Sequence, residues 1–290
     1  MTYDLIIGDY AYSSWSLRGW LLFEAFGIPR RTAQVHFGDD GILDQLAEYK
    51  PARTVPTMRT PEGAIVSDSL AMAEELASRH PDAGLWPTTP LARATARALT
   101  AEMHASFSAL RSKCPMSLRQ AYDCSNPDDD VYEDLARIEE LWAHARSVCS
   151  PDGPWLCGDY SIADVFFAPV AARIAGFSLP VSDAAQAYVQ AHLNHLPFRR
   201  WRAMGMVHGA TLDRYAQSHE VLPGPGPAPK PAAATDRTDA ENDHCPYSGN
   251  AVTDFLEMDG RVFGFCNAFC RDKTVADPEA WPKFMAIVKS

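Results

Sequence analysis

The chain has 290 residues, of which 47% are hydrophobic, and its formal net charge is −11 at pH 7. This composition excludes a disordered chain, and the length suffices for about two domains, each with its own core. The negative charge argues against a nucleic-acid-binding or anionic-membrane-binding surface. Seven cysteines, an odd number, and no visible signal peptide favour a cytoplasmic protein with free thiols or metal ligands.

The first 82 residues alternate strand-like and helix-like patterns. The predicted elements are a strand at 3–7, a helix ending at Phe26, a strand at 31–37, a short helix at 43–49, a hairpin of 55–58 and 64–66, and a helix opened by Asp68 and Ser69. Pro56 stands at the start of a hairpin strand, where proline is tolerated. The order β-α-β-α-β-β-α predicts a thioredoxin-like α/β domain over residues 1–82.

Residues 88–218 are predicted to form an all-helical domain. Its clearest helical segments are 91–111, 132–149, 161–174 and 183–193, with Pro and Gly at the joints. Ser161 and Asp164 form a capping box at the start of a nearly all-apolar helix, which should be the core of this domain. The apolar run 165–172 is too short to span a membrane and indicates a buried helix.

The last part of the chain is divided by composition. Residues 222–243, rich in Pro and Ala, predict a semi-stiff linker. Beyond it, 252–258 and 261–265 flank Asp259 and Gly260, a strong signal for a tight hairpin. A helix start is predicted at 277–281. Residues 244–290 are therefore expected to form a third, very small module. A module of that size seldom folds without a stabilising cross-link such as a disulfide or a bound metal.

The polar turn before the first helix contains Ser13 and Ser14, at the positions of an N-cap and a first helical residue. Serine is among the best capping residues, so both hydroxyls could serve the helix alone. A hydroxyl here also lies beside free backbone N–H groups and the positive end of the helix dipole. That position suits an anion such as a thiolate.

The N-terminal order of elements, the run Ser-Ser-Trp-Ser-Leu-Arg at 13–18, the pair Val55-Pro56 and the pair Asp68-Ser69 resemble the cytosolic glutathione transferases over residues 1–215. The serine-type members, including the zeta class and its maleylacetoacetate isomerases, are the most similar. The resemblance implies the glutathione transferase fold, glutathione as co-substrate, a role in detoxification and a homodimer. Neither a nucleic acid nor a membrane is expected as a partner.

The resemblance also implies roles for individual residues. The peptide bond before Pro56 should be cis and expose the backbone of Val55 to the cysteinyl part of glutathione. Asp68 and Ser69 should hold its γ-glutamyl end. The catalytic serine of the family corresponds to Ser13, with Ser14 as the adjacent candidate. No cysteine stands at either position, which argues against thioltransferase or dehydroascorbate-reductase chemistry.

One position departs from the zeta pattern. That pattern has cysteine where this chain has Trp15, which favours conjugation over isomerisation. Trp15 is expected either to border the pocket of the second substrate or to pack in the core.

The pocket of the second substrate lies in the family between the two domains. On a single helix, His104, Phe107 and Arg111 would share one face. They could line a mixed pocket in which Arg111 attracts an anionic or carbonyl-bearing substrate. Alternatively, Phe107 packs in the core and the other two are ordinary, partly exposed residues.

The C-terminal module contains Cys245, Cys266 and Cys270 with the spacing C-x20-C-x3-C. Together with the run from Phe265 to Lys273, this resembles metal-binding modules of the TRASH and YHS types. Three thiolates suit zinc or another soft metal. The fourth ligand stays open between His244, water and another acid, and three unligated thiols are the alternative to a metal site.

The sequence therefore leads to one main functional expectation, a glutathione transferase that attacks a small hydrophobic electrophile. The alternatives are a glutathione-dependent isomerase of the maleylacetoacetate isomerase type and a non-catalytic adaptor that binds glutathione and metal.

Overall fold

A computed structural model of the chain describes residues 2–38, 41–150 and 152–289. The N-terminal part contains β1 (Tyr3–Ile7), α1 (Ser14–Glu24), β2 (Arg30–Gln34), α2 (Ile42–Gln45), β3 (Thr57–Arg59), β4 (Ile65–Val66) and α3 (Ser69–Arg79). The strands form one sheet in the order β2-β1-β3-β4, in which β1 and β2 are parallel and the other pairs are antiparallel. This is the predicted thioredoxin-like arrangement.

The second strand is shorter than predicted. It ends at Gln34 instead of Phe37, because side chains take the backbone N–H groups of His36 and Phe37. The N–H of His36 donates to the Gln45 side chain at 2.9 Å, and the N–H of Phe37 donates to the Asp9 carboxylate at 2.7 Å. The chain thereby leaves the sheet beside the N terminus of α1.

A helical part follows, with a two-stranded ribbon at its side. Its elements are α4 (Pro90–Ala105), α5 (Ser108–Lys113), β5 (Ala121–Tyr122), α6 (Asp129–Cys149), α7 (Ile162–Gly176), α8 (Asp183–Asn194), α9 (Leu196–Val207) and β6 (Val221–Leu222), which pairs with β5. Helix α7 is buried along almost its whole length. The side chain of Asp164 accepts from the backbone N–H of Ser161 at 2.9 Å, which confirms the predicted start of the core helix.

The prediction of one continuous helix over 91–111 is wrong. The chain breaks at Ser106, which is extended, and at Phe107, whose φ of 62° is left-handed. The side chain of Phe107 is buried in the core, and its burial compensates the strain of that backbone conformation. His104 and Arg111 therefore lie on two different helices.

The C-terminal part is built from β7 (Ala233–Thr235), β8 (Asp254–Met258), β9 (Arg261–Phe265), α10 (Ala268–Ala276) and α11 (Pro282–Val288). The hairpin β8–β9 turns at Asp259 and Gly260, both with positive φ, as predicted. The structure differs from the predicted linker over 222–243, because Ala233–Thr235 pairs with β8 as an edge strand. The limits of the predicted domains stay predictions.

The C-terminal module packs on α9. Arg199 donates two hydrogen bonds to the Asp277 carboxylate, at 2.9 and 2.7 Å. Arg200 donates to Glu24 at the end of α1 and to the carbonyl of Ala280. Charged hydrogen bonds therefore join the module to the rest of the chain. In the part of the chain that the structure describes, no helix is long and apolar enough to cross a membrane.

Candidate functional site

A cavity of about 420 Å³ opens where the N-terminal and helical parts meet. Three segments of the N-terminal part form one wall, namely 12–15, Phe37 with Ile42, and 53–55; the opposite wall comprises Arg111, Pro115, Met116, Arg173 and Tyr215. The N terminus of α1 and the residues before Pro56 therefore line the same cavity. Ser13, Ser14, Trp15, Val55 and Arg111 are the predicted site residues that line it.

Ser13 is the N-cap of α1, as its position in the sequence predicts. Its Oγ accepts from the backbone N–H of Ser16 at 3.2 Å and donates to the hydroxyl of Ser16 at 2.8 Å. The Ser16 hydroxyl in turn accepts from the N–H of Gly8 at 2.9 Å. The Ser13 hydroxyl is thus used within the start of the helix, and its side chain is buried.

Ser14 has different surroundings. Its Oγ accepts from Nη2 of Arg173 at 3.3 Å, and within residues 2–38, 41–150 and 152–289 its hydroxyl donates to no other group. The side chain is only partly buried and faces the cavity. Ser14 is therefore the hydroxyl at this helix N terminus whose proton is free.

The sequence patterns do not identify Arg173 as a site residue. The signal in the sequence was a single cation near the end of an almost wholly apolar helix. Its side chain is 95% buried, its Nη1 donates to the carbonyl of Pro169, and its Nε has no partner among the described residues. Burial lowers the pKa of Arg173 to about 10, and the positive charge of Arg111 adds to this effect. At pH 7 the guanidinium is still a cation.

Trp15 borders the cavity, which was one of the two expectations for it. The guanidinium of Arg111 lies 4.7 Å from the centroid of its ring, and that of Arg18 lies at the same distance. The ring of His104 meets it edge-on at 5.3 Å. Trp15 therefore lies between the guanidinium of Arg111 in the cavity and that of Arg18.

The peptide bond between Val55 and Pro56 is cis, as predicted. Helix α1 packs against this proline at Gly19. A Cβ atom on Gly19 would lie 2.7 Å from Cβ of Pro56, so only glycine permits the observed approach. The helix start and the Val55 backbone are thereby held on the same wall of the cavity.

Asp68 and Ser69 lie outside the lining of this cavity. Asp68 caps α3 by accepting from the N–H groups of Leu70 and Ala71, and its second oxygen lies 3.2 Å from Nε2 of His104. Asp68 therefore serves the start of α3, and the Ser69 hydroxyl is buried without a hydrogen bond among the described residues.

His104 and Phe107 do not line the cavity either. Burial lowers the pKa of His104, and the nearby charges of Arg18 and Arg111 oppose its protonation further, although Asp68 favours it. Phe107 packs in the core, which is the alternative considered for it from the sequence. Of the three residues expected on one helix face, only Arg111 reaches the cavity.

The three cysteines of the C-terminal module come together as predicted. The sulfur atoms of Cys245, Cys266 and Cys270 all lie within 4.8 Å of one another, and those of Cys266 and Cys270 are 3.9 Å apart. Burial raises the pKa of Cys245, but backbone N–H groups from 247, 248 and 266 outweigh it and lower the pKa to about 7. No fourth histidine, cysteine or carboxylate joins this cluster within the described residues.

Four further cysteines, Cys114, Cys124, Cys149 and Cys157, belong to no such cluster in the part of the chain described. A second cavity, of about 360 Å³, lies between the C-terminal module and the rest of the chain, lined by Glu24, Arg200, Tyr247, Lys273, Trp281, Pro282 and Lys283. None of the predicted site residues lines this second cavity.

Comparisons with known proteins agree with this geometry. Residues 12–79 match the family model described as Glutathione S-transferase, N-terminal domain. A stretch of 56 residues is 43% identical to a probable maleylacetoacetate isomerase from Caenorhabditis elegans. That stretch covers 19% of this chain and 26% of the relative, so the likeness spans about a quarter of the relative's length.

Solved structures resemble a larger part of the chain. A glutathione transferase homologue from Sulfitobacter, with bound glutathione, has a TM-score of 0.52 at 20% identity and covers 71% of this chain and 99% of its own. Glutathione transferase Omega 1C from Trametes versicolor has a TM-score of 0.53 at 15% identity, covering 71% and 93%. At these identities the likeness establishes the fold. The family match is confined to residues 12–79, the segment that contributes Ser13, Ser14 and Val55 to the cavity.

Proposed function

We propose that this protein is a glutathione S-transferase, which binds glutathione in the cavity at the N terminus of α1 and directs its thiolate at a small electrophile. The observation that carries the proposal is the meeting, in one cavity, of two serines at a helix N terminus with Val55, the residue before a cis-proline. The match to the family model over 12–79 covers the same residues.

The physical chemistry of a thiol supports this proposal. A free thiol has a pKa near 8.5, so only a few per cent is ionised at pH 7. Lowering that pKa by two units requires about 2.7 kcal/mol. A hydrogen bond to a charged group contributes about 1.5–3 kcal/mol, and the helix dipole up to about 1 kcal/mol. A hydroxyl donor at the start of α1 can therefore supply the stabilisation that keeps the sulfur ionised.

The remaining glutathione contacts are proposed on the same basis. The backbone of Val55 would pair with the cysteinyl part of glutathione. Asp68 and Ser69 would hold the γ-glutamyl end, and the unpartnered Ser69 hydroxyl supports that role. The solved structures of relatives with bound glutathione support the same ligand.

The opposite wall suggests the character of the electrophile. Among the described residues, the cavity is lined by Arg53, Arg111 and Arg173 and by no carboxylate. Pro115, Met116 and the rings of Trp15 and Tyr215 add apolar surface. We propose a small hydrophobic electrophile that carries an anionic or carbonyl oxygen, because such an oxygen would meet the guanidinium groups of Arg53 and Arg111, which no carboxylate in the lining neutralises.

A conjugation assay tests this function. The full chain should bind a glutathione affinity resin and conjugate glutathione to 1-chloro-2,4-dinitrobenzene, with chloride released and a thioether formed. Val55→Pro, which removes the backbone N–H beside the cysteinyl part, should raise KM for glutathione. Arg97→Met, an exposed residue paired with Glu74, is the matched control and should keep wild-type kinetics. A chain that is folded but retains no glutathione and forms no conjugate would contradict the proposal.

A second candidate is the glutathione-dependent isomerase, which the Caenorhabditis elegans relative favours. In isomerisation the thiolate adds to the substrate and leaves again, so no glutathione is consumed. Trp15, in place of the cysteine of the zeta pattern, argues for conjugation. Comparing isomerisation of maleylacetoacetate with conjugation by the same preparation separates the two, and a rate of isomerisation that far exceeds conjugation would favour the isomerase.

We further propose that Cys245, Cys266 and Cys270 hold a soft metal ion, with zinc as the first choice. Tetrahedral zinc with bonds of about 2.3 Å would place its sulfur ligands about 3.8 Å apart. The sulfur atoms of Cys266 and Cys270, which are 3.9 Å apart, fit this distance. A bound ion would cross-link the hairpin β8–β9 and α10. Metal analysis should find about one zinc per chain, and Cys266→Ser should abolish it while Cys149→Ser does not. An equal zinc content in the Cys266→Ser and Cys149→Ser variants would contradict this proposal.

The non-catalytic adaptor and the homodimer are also proposals. An adaptor would bind glutathione resin and metal without conjugating any electrophile, so the conjugation assay separates it from the enzyme. Sedimentation analysis of the full chain tests the homodimer that the resemblance implies.

A further inference from the structure

We infer that Ser14, positioned by Arg173, supplies the hydroxyl that faces the glutathione sulfur, and that Ser13 is a structural cap. This inference rests on the proposed glutathione transferase function and deepens it. It differs from the correspondence that the family resemblance implies, in which Ser13 is the catalytic residue.

The hydrogen bonds at the start of α1 argue against Ser13. Its hydroxyl donates to Ser16 at 2.8 Å and accepts from the Ser16 backbone at 3.2 Å. Donation to a sulfur would require this hydroxyl to leave Ser16, whose own oxygen already accepts from Gly8. The loss of an N-cap destabilises the helix, and a buried hydroxyl that loses its partner adds to that penalty.

Ser14 can donate a hydrogen bond to the sulfur without any rearrangement of its own hydrogen bond to Arg173. Its proton has no acceptor among the described residues, and its oxygen accepts from Nη2 of Arg173 at 3.3 Å. A hydroxyl that accepts from a cation is a stronger donor, because the two hydrogen bonds polarise each other. The acceptor for the proton of the Ser14 hydroxyl would be an anion in the cavity, such as a thiolate.

Arg173 is suited to this positioning role because its charge is not neutralised. The charged or titratable side chains that act on it are Arg111, Cys114 and Tyr215, and Arg18 lies close enough to be affected by it. None of these is a carboxylate, and the buried Nε of Arg173 has no partner among the described residues. The helical part of the chain thus directs an uncompensated cation at the first residue of α1.

The chemical role is limited to stabilising the thiolate. The thiol proton leaves to solvent, and Ser14 keeps its own proton while donating a hydrogen bond to the sulfur. The sulfur then forms a bond to the electrophilic carbon, and the leaving group departs with its electron pair. Arg173 touches neither the substrate nor the sulfur in this scheme, so it is a positioning residue that acts through Ser14.

The test is the pKa of the thiol of enzyme-bound glutathione, measured by the ultraviolet absorbance of the thiolate as a function of pH. In Ser14→Ala and in Arg173→Met this pKa should rise by about one unit or more, and kcat should fall about tenfold below that pKa. In Ser13→Ala the pKa should move by much less, while the chain becomes easier to unfold. Ser14→Thr, which keeps a hydroxyl, and Arg173→Lys, which keeps a charge, should recover part of the wild-type pKa.

Arg111→Met is the matched control, because it removes a guanidinium from the same cavity without touching Ser14. It should shift the thiol pKa less than Arg173→Met does. A rise in Ser13→Ala with none in Ser14→Ala would overturn the inference, and so would an unchanged pKa in Arg173→Met. If wild-type protein binds no glutathione, the proposed function itself fails; if it binds glutathione with a lowered thiol pKa that no Ser14 variant changes, only the inference fails.

Discussion

The pair Arg199–Asp277 should determine whether the C-terminal module stays attached to the rest of the chain. Arg199 lies on α9 and Asp277 precedes the last helix of the module, and two hydrogen bonds of 2.9 and 2.7 Å join them. Their side chains are only 12% and 8% exposed. Arg199→Ala would therefore leave a buried carboxylate without its partner.

The expected cost follows from that burial. Removing one partner of a buried ion pair costs about 3–5 kcal/mol, a large part of the about 5–15 kcal/mol that stabilises a typical domain. Arg199 retains some access to water, which places the expected loss at the lower end, about 3 kcal/mol. Arg199→Met combined with Asp277→Leu should cost less than Arg199→Ala, because no orphan charge is left.

Urea unfolding and hydrogen exchange of residues 233–289 would measure this loss. The module should exchange faster in Arg199→Ala, whereas helix α7 should keep its protection. Arg237→Ala is the matched control, since it breaks an Arg–Asp pair of 2.7 Å whose side chains are 46% and 65% exposed. That control should cost less than about 1 kcal/mol. An equal, small loss in both variants, or a larger loss in the double variant, would refute the reasoning.

Three further predictions concern other parts of the chain. Burial lowers the pKa of His192 to about 3 in the folded chain, whereas in the unfolded chain this histidine takes up a proton below about pH 6.5. The folded state therefore keeps its full stability above pH 6.5 and loses stability as the pH falls below that value. Urea unfolding should show that His192→Phe gains about 2 kcal/mol relative to wild type between pH 6.5 and 5, and a constant difference would contradict this. Gly19→Ala should raise KM for glutathione by displacing Pro56, although alanine favours a helix by about 1 kcal/mol; unchanged kinetics would show that the close approach is unimportant. Phe107→Ala should cost about 3–5 kcal/mol by opening a core cavity, as measured by thermal unfolding, and a loss below about 1 kcal/mol would speak against its burial in the core.

Local patterns in the sequence were sufficient for most elements. The alternation of strands and helices up to residue 79, the capping box at Ser161 and the turn at Asp259 and Gly260 all depend on neighbours within a few residues. The break at Ser106 could not be read this way. Its cause is the burial of Phe107, which the core of the helical part decides and which outweighs helix propensity.

The edge strand Ala233–Thr235 could not be predicted from the sequence for a similar reason. Its small side chains carry no strand pattern, and it is held by backbone pairing with β8, whose paired residues lie 20 to 24 positions further along the chain. Composition alone therefore indicated a linker. The cysteine cluster, in contrast, was recognisable because its spacing reflects a hairpin and a helix start, both local structures.

The sequence by itself determined that two serine hydroxyls stand at the N terminus of the first helix, because capping is a matter of adjacent residues. It could not determine which hydroxyl is free. That depends on Arg173, which lies 159 residues from Ser14 and reaches it only because α7 packs against α1. The helix start was thus fixed by local chemistry, whereas the partner of each hydroxyl was decided by the packing of the two domains.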